Sequence, residues 1–211
     1  MQVLIEIVRQ KLNSTVSYIQ RIPFETKDEE MRVATALHQI NEGEYTDTQG
    51  NPVEPIRWES SCLQRKCGAC AMVINGKPRL ACDAKLKDHH KGVLRLEPLR
   101  KFPVIEDLLT DRSMLHEGLK ELQVWYQEQV ALDERDVEDL YESSRCIQCG
   151  CCLEICPNFE LGGDFKGMAG MVPYSRILSL LSGEEKKDAD KRYKRYIYAG
   201  CGKSLACRDI C

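Results

Sequence analysis

The stretch CLQRKCGACAMVINGKPRLAC, Cys62 to Cys82, decides the reading of the first half of this chain. Cys62, Cys67 and Cys70 stand at Cys-x4-Cys-x2-Cys spacing, so one tight loop must present three thiols. After Cys70, AMVI and KPRL flank Asn75-Gly76, the strongest short signal for a two-residue hairpin turn. The returning strand carries Cys82 back beside the loop. Gly68 lets the backbone wrap closely and aim N–H groups at whatever the thiolates hold.

Three cysteines at this spacing and a fourth further on form the plant-type ferredoxin pattern for a 2Fe-2S cluster. The bland alternative is structural zinc. Its usual pattern is a Cys-x2-Cys pair on each of two arms, and only one arm has that here. Working outward, Val3–Val8 and Thr15–Ile22 read as strands joined by a short polar turn. Asp28 then precedes a helical stretch with Val33, Ala36, Leu37 and Ile40 on one face and Gly43 beyond its end. Val93–Leu99 is a final strand, so the first module mixes strand and helix.

No cysteine falls in the 63 residues between Cys82 and Cys146, which suggests two modules with a border near Arg100–Pro103. The second module reads as helical. Leu115, Leu119 and Leu122 recur at helical spacing, as do Val137, Leu140 and Tyr141, and then Ile177, Leu178 and Leu181. The charged run from Glu184 to Gly200 reads as a solvated helix.

The second module opens its chemistry with CIQCGCCLEICP, Cys146 to Pro157. Cys146-x2-Cys149-x2-Cys152-x3-Cys156-Pro is the bacterial ferredoxin run, whose fourth cysteine ligates the other cluster in two-cluster proteins. The partner run is Cys201-x2-Ser204-x2-Cys207-x3-Cys211, with serine in the second slot. Wired crosswise, Cys146, Cys149, Cys152 and Cys211 hold a 4Fe-4S cluster. Cys156, Cys201 and Cys207 hold the other. A corner with no thiolate loses its iron, and a serine hydroxyl is a hard, weakly acidic ligand, so the expectation there is 3Fe-4S. The competing reading has Ser204 ligate a fourth iron. Eleven cysteines are then used. Cys151 is left as a small packing residue, its side chain pointing away from that of Cys152.

Composition sets outer bounds. The chain has 211 residues, 43% of them apolar, and a net charge of -3, which gives no reason to expect nucleic-acid binding. No apolar run is long enough to span a bilayer. The opening MQVLIEIVRQ is too short and too charged for a signal peptide and lacks transit-peptide character. The chain therefore reads as made and kept in a reducing cytoplasm, where 12 cysteines point to metal ligands rather than disulfides. No Ser-His-Asp set, phosphate loop or dinucleotide fingerprint stands out, so no catalytic residue is expected. His89-His90 reads as an exposed turn, and Trp125 and Tyr126 as packing residues on a helix.

Taken in order, these motifs resemble the iron-sulfur subunit of succinate dehydrogenase and fumarate reductase. The resemblance lies in SSCLQRKCGACAMVINGKPRLAC, FPVIEDLLTDRSML, SSRCIQCGCCLEICPNF and YAGCGKSLACRDIC, and covers nearly the whole chain. It implies an α+β chain. Residues 1–100 would form an N-terminal β-grasp 2Fe-2S ferredoxin domain, and residues 101–211 an all-helical bacterial ferredoxin-like domain with 4Fe-4S and 3Fe-4S clusters. The subunit would sit between a flavoprotein carrying covalent FAD and a membrane-anchor cytochrome b subunit, often with haem b, on the cytoplasmic face of the bacterial inner membrane. Electrons would pass between the flavin, which interconverts succinate and fumarate, and quinone, through 2Fe-2S, 4Fe-4S and 3Fe-4S in either direction. The quinone would lie near Pro157, Asn158 and Phe159. GCGKS most resembles the branch that works with menaquinone.

The chain also departs from the pattern. Some members carry tryptophans just after the Cys-Pro, where this chain reads NFELGG. Members continue past the last cysteine, so the natural chain is expected to extend beyond Cys211. Two further readings stay open. One keeps the relay but places it in a soluble thiol-dependent fumarate reductase or a related unsaturated-acid reductase. The other is a zinc-stabilised interaction protein without redox chemistry.

Overall fold

The computed structural model describes residues 1–89, 92–125 and 134–211, without the side chains of 89 and 134–136. Two compact units divide it, Met1–Asp111 and Arg112–Cys211.

In the first unit a five-stranded mixed sheet has the order β2-β1-β5-β3-β4. Its strands are β1 (Gln2–Gln10), β2 (Ser17–Glu25), β3 (Ala71–Ile74), β4 (Lys77–Leu80) and β5 (Val93–Glu97). β1 alternates strictly: Val3, Ile5 and Ile7 are buried and their neighbours are not. That period of two fixes the register, because a one-residue slip would turn every apolar side chain to the wrong face. Ile5 accordingly faces Ile22 across the antiparallel β2 and Leu94 across the parallel β5. Helix α1 (Val33–Glu42) adds Val33, Ala36, Leu37 and Ile40 to the same core, the four positions expected from the sequence. Asp28 does not cap it. Its Oδ1 accepts the N–H of Glu30 at 2.9 Å in the turn before the helix. The β3–β4 turn falls at Asn75 and Gly76, whose φ values of 47° and 78° are those a two-residue hairpin demands. After β4 comes one short helix, α2 (Leu86–His89).

The sequence border at 100/101 and the unit border at 111/112 differ because of a second hairpin. β6 (Val104–Glu106) and β7 (Leu109–Thr110) turn at Asp107, with φ 48°. Asp107 is 3% exposed and belongs to the first unit's polar core. Its Oδ1 accepts Arg9 Nε at 2.9 Å and the Gln10 N–H at 3.1 Å, and its Oδ2 accepts the Arg57 N–H at 2.9 Å.

In the second unit all regular elements among the described residues are helices. They are α3 (Ser113–Leu122), α4 (Glu134–Ser144), α5 (Cys151–Ile155), α6 (Gly167–Leu178), α7 (Gly183–Tyr193) and α8 (Ala206–Ile210), with a π-helical turn at Lys194–Tyr198. Leu122, Tyr174, Ile177, Ala189 and Ile197 form a buried cluster, and Tyr174 OH donates to Ala189 O at 2.9 Å. So the charged run is not solvated throughout: Ala189 faces inward and the π turn brings Ile197 into the core. Val137 and Tyr141, at helical spacing in sequence, are 54% and 66% exposed, so that stripe does not reach the core. Trp125 lies beyond the end of α3 in a bend and is half exposed, not packed on a helix. His90 and Tyr126 lie outside the described residues. Among the described residues, no helix is long and apolar enough to cross a membrane.

Candidate metal centres

The Cys62–Cys70 loop has no regular structure, and its curl comes from three residues with positive φ: Leu63 at 54°, Arg65 at 60° and Gly68 at 75°. Alternating a left-handed residue with an ordinary one turns successive N–H groups toward one side, a concavity that attracts anions. The target here is sulfur. Gln64 and Lys66 donate their N–H groups to Cys62 Sγ at 3.3 and 3.2 Å, and Ala69 donates to Cys67 Sγ at 3.5 Å. These bonds favour thiolate, so Cys62 is held down at about 7, first by the N–H groups of Gln64 and Lys66 and then by the Cys67 thiol.

The hairpin does what its turn implies. Ala81 donates its N–H to Cys70 O at 3.0 Å and Cys82 donates to Cys70 Sγ at 3.4 Å, which seats Cys82 beside the loop. Burial pushes the Cys70 thiol up to about 12. Cys70 and Cys82 are buried, Cys62 is half-buried and Cys67 is exposed. The four thiols therefore grade from core to surface, which suits a centre that must be both protected and reachable.

In the second unit the two cysteine runs share one backbone design. Gln148 and Gly150 have φ values of 51° and 84°, and α5 starts at Cys151. Lys203 and Leu205 have φ values of 55° and 59°, and α8 starts at Ala206. Every step corresponds at a spacing of 55 residues, so Ser204 occupies in the second run the place of Cys149 in the first. Glycine at 150 meets the left-handed position without strain, whereas Leu205 adopts it despite its side chain.

The two short helices, α5 and α8, pack on each other. Burial first, then the thiolates of Cys149, Cys146, Cys211 and Cys207, push the Cys152 thiol up. Burial and then Cys149, Cys146 and Cys207 do the same to Cys211. The packing of α8 on α5 thus brings the end of the second cysteine run to the first. Cys156 follows α5 in extended backbone. Its neighbour Asn158 reaches the second run: a Cβ on Gly202 would stand 2.7 Å from Asn158 Oδ1. Among the described residues, no group of three His, Cys, Asp or Glu side chains converges on a single-ion site.

Four side chains depart from the sequence reading or were missed by it. Cys151 is buried, but it does more than pack: its thiol hydrogen-bonds Cys149, and that bond is the chief reason Cys149 is held at about 6, with the Arg112 guanidinium assisting. Phe159 is 3% exposed and lines a small recess with Met114, Leu115 and Leu153, so it is withdrawn from the surface that Pro157 and Asn158 share. Gln148 went unnoticed in the sequence. Its Nε2 donates to Cys146 Sγ at 3.1 Å and to Ala169 O at 3.0 Å. Arg112, also unnoticed, donates from Nη1 to Cys149 O at 3.4 Å.

Residues 4–117 match the family described as 2Fe-2S iron-sulfur cluster binding domain. The succinate dehydrogenase iron-sulfur subunit of Bacillus subtilis is 34% identical over 193 residues, covering 86% of this chain and 75% of its own length. This chain belongs to the iron-sulfur subunits of succinate dehydrogenase and fumarate reductase. Within that family, this iron-sulfur subunit is also similar to the fumarate reductase iron-sulfur subunit of Wolinella succinogenes. The two are 32% identical over 171 residues, 74% of this chain and 70% of the other. A chain of the Mycobacterium smegmatis Sdh1 complex in the apo form shares the subunit's fold, with a TM-score of 0.75 at 21% identity. The match covers all of this chain and 87% of that one.

Proposed function

We propose that this iron-sulfur subunit relays single electrons between a flavoprotein bearing covalent FAD and a membrane quinone, in a complex that interconverts succinate and fumarate. The fold reading that goes with it is a β-grasp ferredoxin domain followed by a helical ferredoxin-like domain. Cys62, Cys67, Cys70 and Cys82 would hold a 2Fe-2S cluster. Cys146, Cys149, Cys152 and Cys211 would hold 4Fe-4S, and Cys156, Cys201 and Cys207 would hold 3Fe-4S. Bound there, the clusters would supply reversible one-electron storage.

The donor sets fit such groups. Thiolate is the ligand these clusters require, N–H groups already aim at Cys62 and Cys67, and the thiols of the first site grade from buried Cys70 and Cys82 to exposed Cys67. The observation that supports the reading is the packing of α8 on α5, which brings the segment ending in Cys211, 55 residues past Cys156, to the first run. Such packing is what the cross-wiring of the bacterial ferredoxin run requires. With Ser204 in the slot equivalent to Cys149, the companion site is one thiolate short.

The protein's part is to insulate, orient and tune. A membrane anchor subunit, with quinone next to Pro157 and Asn158 and menaquinone as the species, completes the proposal. So does a peripheral position on the cytoplasmic face of the inner membrane. Electron paramagnetic resonance on the intact complex tests it. The oxidised sample should show a three-iron signal and mild reduction a 2Fe-2S signal. Material with zinc in place of iron and acid-labile sulfide, or with a single type of centre, would overturn the reading.

A further inference from the structure

Gln148 is held in an unusual position. Its φ of 51° lies in the left-handed region, and its amide reaches inward from the loop between Cys146 and Cys149. Both groups that Nε2 touches, Cys146 Sγ and Ala169 O, are acceptors, so the NH2 end must face them. The other end, Oε1, is buried with no hydrogen-bond partner among the described residues. An orphaned buried carbonyl costs free energy, and a leucine of similar size would avoid that cost.

One reason for the amide lies in α6. Ala169 is in its first turn, and the residue four further on, which would ordinarily donate to its carbonyl, is Pro173, with no N–H to give. Gln148 supplies that missing donor. The same NH2 group has a second proton, and it points at the Cys146 sulfur.

We infer that Gln148 tunes the centre held by Cys146, Cys149, Cys152 and Cys211, raising its reduction potential through the Nε2–H···Sγ bond while it closes the gap in α6. This rests on the proposed four-iron site at those cysteines. A donor to a ligating sulfur stabilises the more electron-rich, reduced state, so hydrogen bonds to sulfur move the potential upward. Gln148 acts through Cys146 and touches no substrate, so it is a positioning and tuning residue. Arg112, beside Cys149, works in the same direction by its positive charge.

The experiment is a potentiometric titration of the intact complex, followed by electron paramagnetic resonance, for wild type, Gln148→Leu, Gln148→Glu and the double variant Gln148→Leu with Pro173→Ala. In Gln148→Leu the four-iron centre should become harder to reduce by roughly tenfold in equilibrium, about 59 mV for one electron. Gln148→Glu, which replaces the donor by an anion, should fall further. The 2Fe-2S and three-iron centres should not move. Pro173→Ala returns an N–H to Ala169, so the double variant should regain thermal stability while its potential stays low. A four-iron potential unchanged in Gln148→Leu, or restored in the double variant, overturns the inference and leaves only a structural role. Should Gln148→Leu fail to assemble the centre, the wild type with 15N in its glutamine side-chain amides decides: nuclear coupling to the reduced centre supports the bond, and none overturns it. Absence of any four-iron centre in wild type by Mössbauer spectroscopy is a separate outcome, and it overturns the underlying reading together with this one.

Discussion

At Asp107 two carboxylate oxygens answer three donors, and Arg9, on the other side of the bond, is equally engaged. Its Nη1 donates to Gln20 Oε1 at 2.8 Å and Glu54 O at 3.1 Å, and its Nη2 to Pro55 O at 3.2 Å. A buried ion pair is tolerable when every lone pair and proton is used, and costly when one partner is removed. Asp107→Ala should therefore lower the stability of the holoprotein by about 3–5 kcal/mol, read from its thermal or urea transition. Glu30 shows the opposite regime. It is exposed and paired with Lys85 and Lys87, which hold its carboxyl at about 2. Because its folded pKa is depressed, the pairing contributes above the unfolded value, and the contribution fades as pH falls toward about 2. A carboxyl-carbon NMR titration should show Glu30 ionised well below the ordinary glutamate value of 4.5, and Lys85→Met should move it back up. A Glu30 that titrates ordinarily would remove the pair from the argument.

Between elements, the close approach of α3 and α6 depends on Gly170. A Cβ there would stand 2.8 Å from Leu122 Cδ1 and 2.7 Å from Lys166 Cβ. Gly170→Ala should destabilise the second unit by roughly 1–3 kcal/mol, since a well-packed contact resists an added methyl. The measurement is the helical thermal transition monitored by circular dichroism. The β3–β4 hairpin makes a comparable demand in the first unit. Gly76 sits at φ 78° in open space, so Gly76→Ala meets no neighbour and pays only for its backbone, about 1–2 kcal/mol. Since this hairpin seats Cys82, the variant should also lose its 2Fe-2S absorbance faster under chelator than wild type does. Equal loss rates would separate the turn from cluster retention.

For the whole molecule, the proposed wiring fixes a stoichiometry. The intact subunit should carry about nine irons, from clusters of two, four and three. Ser204→Cys supplies the absent thiolate in a backbone already shaped for one, so the three-iron signal should give way to a second four-iron centre and quinone turnover should slow. A persistent three-iron signal in that variant would show that Ser204 does not account for the missing iron.

The sequence by itself determined the periodic and the punctuated features. Alternation in β1 fixes which residues face the core, Asn75-Gly76 fixes the hairpin, and the cysteine spacings fix which thiols are available to each loop. These are local properties, set within a few residues by side-chain volume and backbone sterics. Tertiary structure alone decided what depends on residues far apart in the chain. Asp107 joins the first unit because Arg9, 98 positions earlier, needs a buried partner. Phe159 leaves the surface because Met114, Leu115 and Leu153 offer it an apolar recess. Gln148 finds Cys146 on one side and, on the other, a carbonyl left without its helical donor by Pro173. No spacing rule encodes such meetings, because they follow from the balance of burial and hydrogen bonding once the helices have packed.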